Sequence, residues 1–287
     1  MSGDLLQRLE DGMFLFSKGQ RSVAEYLLAH YDKAAYMTAA RLGALVGVSE
    51  STVVRFATEL GFSGYPELQA ALKKLVRSRL TSFQRMEVTN SLIGDGDVLD
   101  TVLLSDMDKI RKTMEQIDHT SFESAVDAIA SAKNIYIIGV RSSAALAGFL
   151  NHSLRMIFDH VRFVQTTAGS EMLEEIMRVD EGDVVIAISF PRYSKRIINA
   201  VEYARSRNAD VVALTDSENS PIAPFANQLL IAHSDMASFV DSLVAPLSII
   251  NAMVVAVARK RENEVSERLR ILEEVWDRYD VYDKKGS

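Results

Sequence analysis

The chain contains, at residues 38–56, the stretch TAARLGALVGVSESTVVRF. Small residues in its first half, Gly43 among them, allow two helices to approach closely. Gly47 can adopt the left-handed conformation that ends a helix, and Val48 is expected to fill the angle between the two helices. Ser49 is a good N-cap residue, and the acidic residue after it favours the positive end of a helix dipole. The stretch therefore predicts two short helices joined by a tight turn, a helix-turn-helix.

Helical spacing divides the second of these helices into two faces. One face is apolar and is expected to join the core, with Val53, Phe56, Ala57 and Leu60 at positions i, i+3, i+4 and i+7. The opposite face carries small hydroxyl residues and one arginine, a combination that suits base edges and phosphates in the major groove of DNA. An ordinary three-helix bundle with an accidental turn is the alternative. The candidate DNA-binding residues are Ser49, Ser51, Thr52, Val54, Arg55 and Thr58.

Charge is distributed unevenly along the chain. Residues 1–80 contain ten Lys/Arg and eight Asp/Glu, whereas the remainder contains 22 and 31, for a net charge of −7. A mildly basic head on an acidic body suits a modular DNA-binding protein, because only the phosphate-facing surface has to attract DNA. Cysteine is absent, which excludes disulfides, thiolate metal sites and a cysteine nucleophile, and fits a cytoplasmic protein.

The sequence predicts no association with a membrane. Charged residues interrupt the apolar positions of residues 1–16, so no signal-peptide core is present there. The longest apolar run, residues 243–258, contains Pro246, Ser248 and Asn251 and is shorter than the ~20 residues of a membrane-spanning helix. We expect a buried helix in this run.

Short apolar segments alternate with helical segments after residue 121, which is typical of strands buried on both faces of a parallel sheet. The alternation predicts a doubly wound α/β domain with a five-stranded parallel sheet, flavodoxin-like, in the order 2-1-3-4-5. The predicted strands are Asn134–Gly139, Val161–Val164, Asp183–Ser189, Asp210–Thr215 and Gln228–Ala232.

Four regions follow from these patterns. Residues 1–80 form an all-α helix-turn-helix domain, and residues 81–120 form a linker, polar over 81–98, with a connecting helix over 99–117. Residues 121–260 form the α/β domain. Residues 261–287 form an amphipathic helix and a tail, whose apolar stripe is expected to pack on the body or on a second subunit.

Ligands of doubly wound sheets bind beyond the carboxyl ends of the strands, where the strand order reverses. The loops that leave strands one and three are rich in hydroxyls, contain an arginine each and begin helices, which together make an anion site. Neither loop has the glycines of a dinucleotide or P-loop motif, and no cofactor is expected. The candidate ligand-binding residues are Arg141, Ser142, Ser143, Ser189, Arg192, Tyr193 and Ser194.

The N-terminal part, from Arg21 through the turn to the tail Leu60-Gly61-Phe62-Ser63-Gly64-Tyr65, resembles the DNA-binding domain of RpiR-type bacterial regulators. Residues 122–258 resemble a sugar-isomerase-type (SIS) domain, carried by residues 135–140, 183–189 and 211–216. The resemblance implies a double-stranded DNA operator, a phosphosugar effector and a homodimer or homotetramer built through the SIS domains.

The resemblance also implies a phosphate-binding loop of the pattern Ser-x-Ser-Gly-x-Thr after the third strand. On that pattern, Ser189 matches the first serine and Ser194 the threonine, while Pro191 and Arg192 replace the second serine and the glycine. Arg141 similarly replaces a glycine in the first loop. We therefore expect an anionic sugar-derived ligand that carries a second acidic group.

A phosphosugar isomerase with an accessory helical domain is the alternative function. Such an enzyme needs a general base and a ring-opening group, often Glu and His. His152 is expected to be packed in a helix, and Glu171 and Glu218 follow strands two and four without a diagnostic spacing. No catalytic residue and no metal ligand is assigned, and a transcriptional regulator of carbohydrate metabolism is the expected function.

Overall fold

The computed structural model describes residues 5–79, 81–94, 96–166, 169–235 and 240–282. Their contacts divide the chain into two compact units, the first with the residues up to Gly96 and Val240, the second with the other residues from Asp97 onward. Each unit has a hydrophobic core of its own. No helix among these residues is long and apolar enough to cross a membrane.

The first unit, called the head below, is built from helices alone. Its core is made by apolar residues at helical spacing, such as Val23 and Leu27, and Phe16 packs edge-on against Phe56 with 5.1 Å between ring centroids. The helices are α1 (Leu5–Gly12), α2 (Lys18–Ala34), α3 (Ala39–Val46), α4 (Glu50–Glu59), α5 (Tyr65–Arg79) and α6 (Ser82–Ile93).

The prediction of a polar linker over residues 81–98 is wrong for most of that range, because the structure has helix α6 there. Thr81 and Gln84 form a capping box, in which Thr81 Oγ1 accepts a hydrogen bond from Gln84 N at 3.3 Å and Gln84 Oε1 accepts one from Thr81 N at 3.0 Å. Val88 then anchors the helix by joining the core of the head. A polar composition with one well-capped start and one anchoring residue is sufficient for this short helix.

The second unit contains a five-stranded parallel sheet in the order β2-β1-β3-β4-β5, so the predicted strand order is confirmed. The central strands β1 and β3 are buried at every position, as the uninterrupted apolar runs predict. The strands are β1 (Ile135–Gly139), β2 (Val161–Val164), β3 (Val184–Ile188), β4 (Asp210–Thr215) and β5 (Gln228–Ile231).

Helices cover both faces of this sheet. One face packs against α8 (His119–Ser131), α9 (Ser143–Arg155) and α12 (Val244–Lys260), and the other against α10 (Gly169–Ile176) and α11 (Lys195–Ser206). The apolar run at 243–258 is thus the buried helix that the sequence predicts, α12. Two further helices, α7 (Val98–Gln116) and α13 (Glu262–Arg278), pack on α12.

Candidate functional site

The turn between α3 and α4 depends on two glycines for different reasons. Gly47 has φ +77°, ends α3 and donates its N–H to the carbonyl of Gly43. Val48 N donates to the same oxygen at 2.8 Å. A Cβ on Gly43 would lie 2.8 Å from the carbonyl oxygen of Val48. The first glycine therefore allows close approach of two backbone segments, and the second allows the left-handed conformation.

Three hydroxyl side chains meet at the amino end of α4. Ser49 caps the helix, since its Oγ accepts a hydrogen bond from Thr52 N at 3.3 Å. The same Oγ lies 2.9 Å from Ser51 Oγ and 2.9 Å from Thr52 Oγ1. This end of α4 offers hydroxyls and the positive end of a helix dipole, both of which favour a phosphate group.

The two faces of α4 are those that the sequence predicts. Val53, Phe56 and Ala57 are fully buried and Leu60 nearly so, and all four belong to the core of the head. The other face is open to solvent, although Thr52 is half-buried at its edge. Exposed there are Ser49, Ser51, Val54, Arg55 and Thr58. The structure thus places all six candidate residues on one surface.

Sequence reasoning missed two cations beside this surface, Lys18 and Arg21 in the first turn of α2. Both are exposed. The amino end of α2 lies against α4, because a Cβ on Gly19 would be 3.3 Å from Val48 Cγ1 and 3.5 Å from Thr52 Cγ2. The capping box at the start of α2, Ser17 with Gln20, is the sequence signal that would have placed these residues at a helix start.

Tyr65, in the Gly-Phe-x-Gly-Tyr tail, holds the beginning of α3. Its hydroxyl donates a hydrogen bond to the carbonyl of Met37 at 2.9 Å, just before the N-cap residue Thr38. Gln69 Nε2 donates to the same oxygen at 2.7 Å. Burial raises the pKa of Tyr65 to about 12.

The two predicted ligand loops begin side by side at the switch point of the sheet. Gly139, the last residue of β1, pairs with Ile188, the last residue of β3. A Cβ on Gly139 would lie 2.6 Å from the carbonyl oxygen of Ser143, so the first loop turns tightly into α9. Ser189 is buried at the end of β3 and Ser143 at the start of α9, and Tyr193 and Ser194 are half-buried. Exposed are Arg141, Ser142 and Arg192.

The two arginines of these loops have left-handed backbones. Arg141 has φ +57° and Arg192 has φ +63°. These are the two positions at which the SIS pattern has glycine, and an arginine there costs on the order of 1 kcal/mol in backbone strain. Strained residues cluster at functional sites, where the surrounding structure holds them in place. Two such residues in adjoining loops therefore support a binding role.

Asp216, after β4, is a further candidate residue that the sequence analysis does not select. It accepts a hydrogen bond at Oδ1 from the hydroxyl of Tyr193 at 2.6 Å. Thr215 Oγ1 donates to Ser220 Oγ at 2.9 Å in the same segment. The signal was available, because hydroxyl and carboxylate residues directly follow a buried strand at the same sheet edge.

The side chains considered for catalysis, His152, Glu171 and Glu218, lie on three different segments and are all exposed. His152, expected to be packed, is exposed on α9, because it falls outside the apolar stripe of that helix. Glu171 and Glu218 are exposed at the starts of different segments. His233 is half-buried, with its Nε2 at 2.8 Å from Gln116 Oε1. Within the described parts of the chain, no cluster of three or more potential metal ligands is found.

Two family models match the chain, a helix-turn-helix domain of the rpiR family over residues 3–79 and an SIS domain over residues 128–256. An HTH-type transcriptional regulator of Clostridium perfringens is 24% identical over 272 residues, covering 92% of this chain and 95% of that protein. HexR of Escherichia coli, also an HTH-type transcriptional regulator, is 25% identical over 279 residues, covering 94% and 93%.

Solved structures agree with these relatives. NanR of Vibrio vulnificus, in complex with ManNAc-6P, is 25% identical with a TM-score of 0.59, covering 96% of this chain and 99% of that one. The sugar isomerase domain of an RpiR transcription factor from Sphaerobacter thermophilus is 25% identical with a TM-score of 0.58, covering 61% and 97%. With an rpiR-family helix-turn-helix domain followed by an SIS domain, the chain matches the RpiR-type helix-turn-helix transcriptional regulators.

Proposed function

We propose that the chain is a DNA-binding repressor of carbohydrate catabolism genes whose operator affinity changes when an anionic sugar derivative binds at the switch point of the sheet. The observation that carries the proposal is the combination, in one chain, of an exposed polar face on α4 with two strained arginine loops at the sheet edge. Because the operator lies in the cytoplasm, the protein acts there in this proposal.

In this proposal α4 enters the major groove. Arg55 pairs with a guanine, Val54 contacts a thymine methyl, and the hydroxyls at the helix start bind bases or phosphates. Arg55 already lies along the helix surface, since its Nε donates to the carbonyl of Ser51 at 3.3 Å. Lys18 and Arg21 contact the phosphate backbone beside α4.

The effector is a phosphosugar that carries a second acidic group. Ser189, Ser194 and the amino end of α11 hold the phosphate, and Arg141 and Arg192 bind the second anion. The complex of NanR with ManNAc-6P supports a phosphosugar for this chain as well. The two guanidinium groups favour a phosphorylated sugar acid over a neutral hexose phosphate.

Regulation requires a symmetric oligomer, a homodimer or homotetramer. One helix-turn-helix reads only a few base pairs, and two heads about 34 Å apart read a palindrome. The effector alters DNA affinity only if the oligomer has two arrangements of its heads that differ in DNA affinity, and if the effector binds these two arrangements with different affinities.

A gel shift with DNA from upstream of the protein's own gene tests the DNA-binding half. Arg55→Ala should weaken the specific shift about fivefold or more, because a bidentate arginine–guanine pair contributes about 1–3 kcal/mol of discrimination. Arg155→Ala, which removes an exposed arginine of α9, is the matched control and should leave the shift unchanged. Operator discrimination that survives Arg55→Ala would refute this assignment of the recognition face.

The same assay with a panel of phosphosugars and phosphorylated sugar acids tests the sensing half. Arg141→Ala and Arg192→Ala should lose the response to sugar acids while wild-type protein keeps it. If both variants bind every compound as wild type does, the arginines have no role in recognition. Turnover of any of these compounds would instead favour the isomerase alternative.

A further inference from the structure

Helix α7 buries its polar side. It packs on α12, and its two buried residues are Lys109, 3% exposed, and Thr113, 5% exposed. Lys109 Nζ donates to Ser105 Oγ at 2.8 Å and to Asp106 Oδ1 at 3.2 Å. Asp106 Oδ1 also accepts a hydrogen bond from Ser242 Oγ at 2.7 Å. The contacts of Lys109 lie within the helix, whereas Asp106 and Thr113 contact the rest of the unit; Thr113 Oγ1 accepts a hydrogen bond from His233 N at 2.9 Å.

One exposed flank of the same helix is apolar, beside the charged residues Asp108, Arg111 and Glu115. Its members follow one another at intervals of four, four, three and four residues, which keeps them on one stripe of the helix. The stripe consists of Leu99, 66% exposed, Leu103, 52%, Met107, 65%, Ile110, 38%, and Met114, 66%. A helix on the surface of a monomer has the reverse arrangement, with apolar residues inside. A contiguous exposed apolar surface of this kind marks an interaction site.

We propose that this stripe binds the same stripe of a second copy of the chain, with the two α7 helices antiparallel about a twofold axis near Met107. The proposal rests on the proposed function, which requires a symmetric oligomer. Leu99 and Met114 lie at equal distances from the point between Asp106 and Met107, and so do Leu103 and Ile110. The stripe is therefore complementary to itself when one helix is reversed, as an isologous interface requires.

The charges of α7 favour the same orientation. Before the midpoint, the helix and its N-cap carry Asp97, Asp100 and Asp106 and no cation. After the midpoint, the cations Lys109, Arg111 and Lys112 outnumber the acids Asp108 and Glu115 by one, and Arg111 and Lys112 form ion pairs with these acids within the helix. An antiparallel pair places each acidic half opposite the half with a net charge of +1, whereas a parallel pair places the two acidic halves together.

The orientation also fits the DNA. Helix α7 begins directly after the head, at Val98, so the head of each copy is attached to its amino end. Nineteen residues make a helix about 28 Å long. Antiparallel pairing therefore separates the two attachment points by about this length, close to the roughly 34 Å between half-sites on one face of DNA. Parallel pairing would hold both attachment points at one end.

A pair of α7 helices alone covers less than the roughly 800 Å² that each partner buries in a typical stable interface. Helix α13 offers further apolar surface, because it packs on α12 as α7 does and has no buried residue. It exposes Leu269, Ile271 and Val275. The sequence predicts that this helix packs on the body or on a second subunit. In the structure it lies on α12 of the same chain, and in this dimer its exposed apolar residues contact the second subunit.

Cysteine cross-linking of the full chain tests the interface without background, because the chain contains no cysteine. Met107→Cys should form a disulfide-linked dimer under mild oxidation, since the twofold axis brings the two Cα atoms within the ~7 Å that a disulfide spans. Leu99→Cys and Met114→Cys should each stay monomeric on a denaturing gel when alone and cross-link when mixed. Cross-linking of each of these two variants with itself would indicate parallel pairing and overturn the proposal.

Met177→Cys is the matched control, because Met177 is 60% exposed after α10, on the other face of the sheet, and should not cross-link. Light scattering provides a second measurement. The double variant Leu103→Glu/Met107→Glu should have half the wild-type mass with an unchanged circular dichroism spectrum, whereas Met177→Glu should keep the wild-type mass. A double variant with the wild-type mass overturns the interface. If wild-type protein still shifts operator DNA in that case, the proposed function stands without it.

Discussion

The hydroxyl of Tyr193 donates a hydrogen bond to Oδ1 of Asp216 at 2.6 Å, and this contact ties the loop after β3 to the loop after β4. Tyr193 directly follows the strained residue Arg192. The hydrogen bond therefore helps to hold a left-handed arginine in position before any ligand is present. Such preorganisation reduces the entropy lost on binding.

Tyr193→Phe should weaken effector binding about fivefold to tenfold. A hydrogen bond to a charged group contributes about 1.5–3 kcal/mol, and part of that loss falls on the ordering of the loop. Isothermal titration with the phosphorylated sugar acid that alters the gel shift measures the change. Tyr203→Phe is the control, because it removes a comparable hydrogen bond, to the carbonyl of Met177 at 3.0 Å, from the side of α11. If Tyr193→Phe and Tyr203→Phe bind the effector equally well, the hydrogen bond to Asp216 does not contribute to effector binding.

Arg141→Gly should stabilise the protein and at the same time weaken effector binding at least tenfold. Glycine relieves the strain of φ +57°, with a net gain of up to about 1 kcal/mol in the free energy of unfolding. The lost guanidinium removes a partner of the anion. Chemical denaturation and ligand titration measure the two effects. Asn208→Gly, at φ +60° after α11, is the control and should increase stability without changing effector binding. A destabilised Arg141→Gly variant would contradict the strain argument.

The fold could be predicted from local sequence patterns because these patterns mark where helices and strands begin and end. Gly47 and Ser49 define the turn before α4, and the buried strands are apolar at every position. Helix α6 was missed because its burial depends on a long-range contact of Val88 with the core of the head. Composition alone does not reveal a contact of that kind.

The candidate sites were predictable as far as they follow from position in the chain. The loops at the switch point follow from strand order, and the exposed face of α4 follows from helical spacing. The left-handed backbones of Arg141 and Arg192 and the contact of Tyr193 with Asp216, 23 residues away, depend on tertiary structure. The reversed polarity of α7 became visible only once α12 defined its inward side.

Gly43→Ala should destabilise the head more than Gly47→Ala does. The Cβ at position 43 would lie 2.8 Å from a backbone oxygen that cannot move without opening the turn, and we expect a cost of about 2 kcal/mol. At position 47 nothing lies within 4 Å of the added Cβ, so only the strain of φ +77°, about 1 kcal/mol, remains.

Thermal unfolding of the full chain, followed together with operator binding, measures this difference. Gly148→Ala is the control, because its Cβ on α9 meets only Phe163 at ordinary contact distance and helix propensity favours alanine. If Gly47→Ala proves the more damaging of the two, close packing is not what requires a glycine at position 43.

Alkaline pH should destabilise the head through Tyr65. Burial raises the pKa of this phenol from 10 to about 12, so the folded head prefers the neutral form. The raised pKa contributes on the order of 2 kcal/mol to the free energy of unfolding. This contribution is complete below pH 10 and is lost as the pH rises through about 12. Tyr65→Phe should lower stability at pH 8 by about 1 kcal/mol, because the hydrogen bond to Met37 is lost. The same variant should flatten the alkaline part of the profile. Denaturation curves between pH 8 and 12 compare the two proteins, and parallel profiles would show that another group controls the alkaline transition.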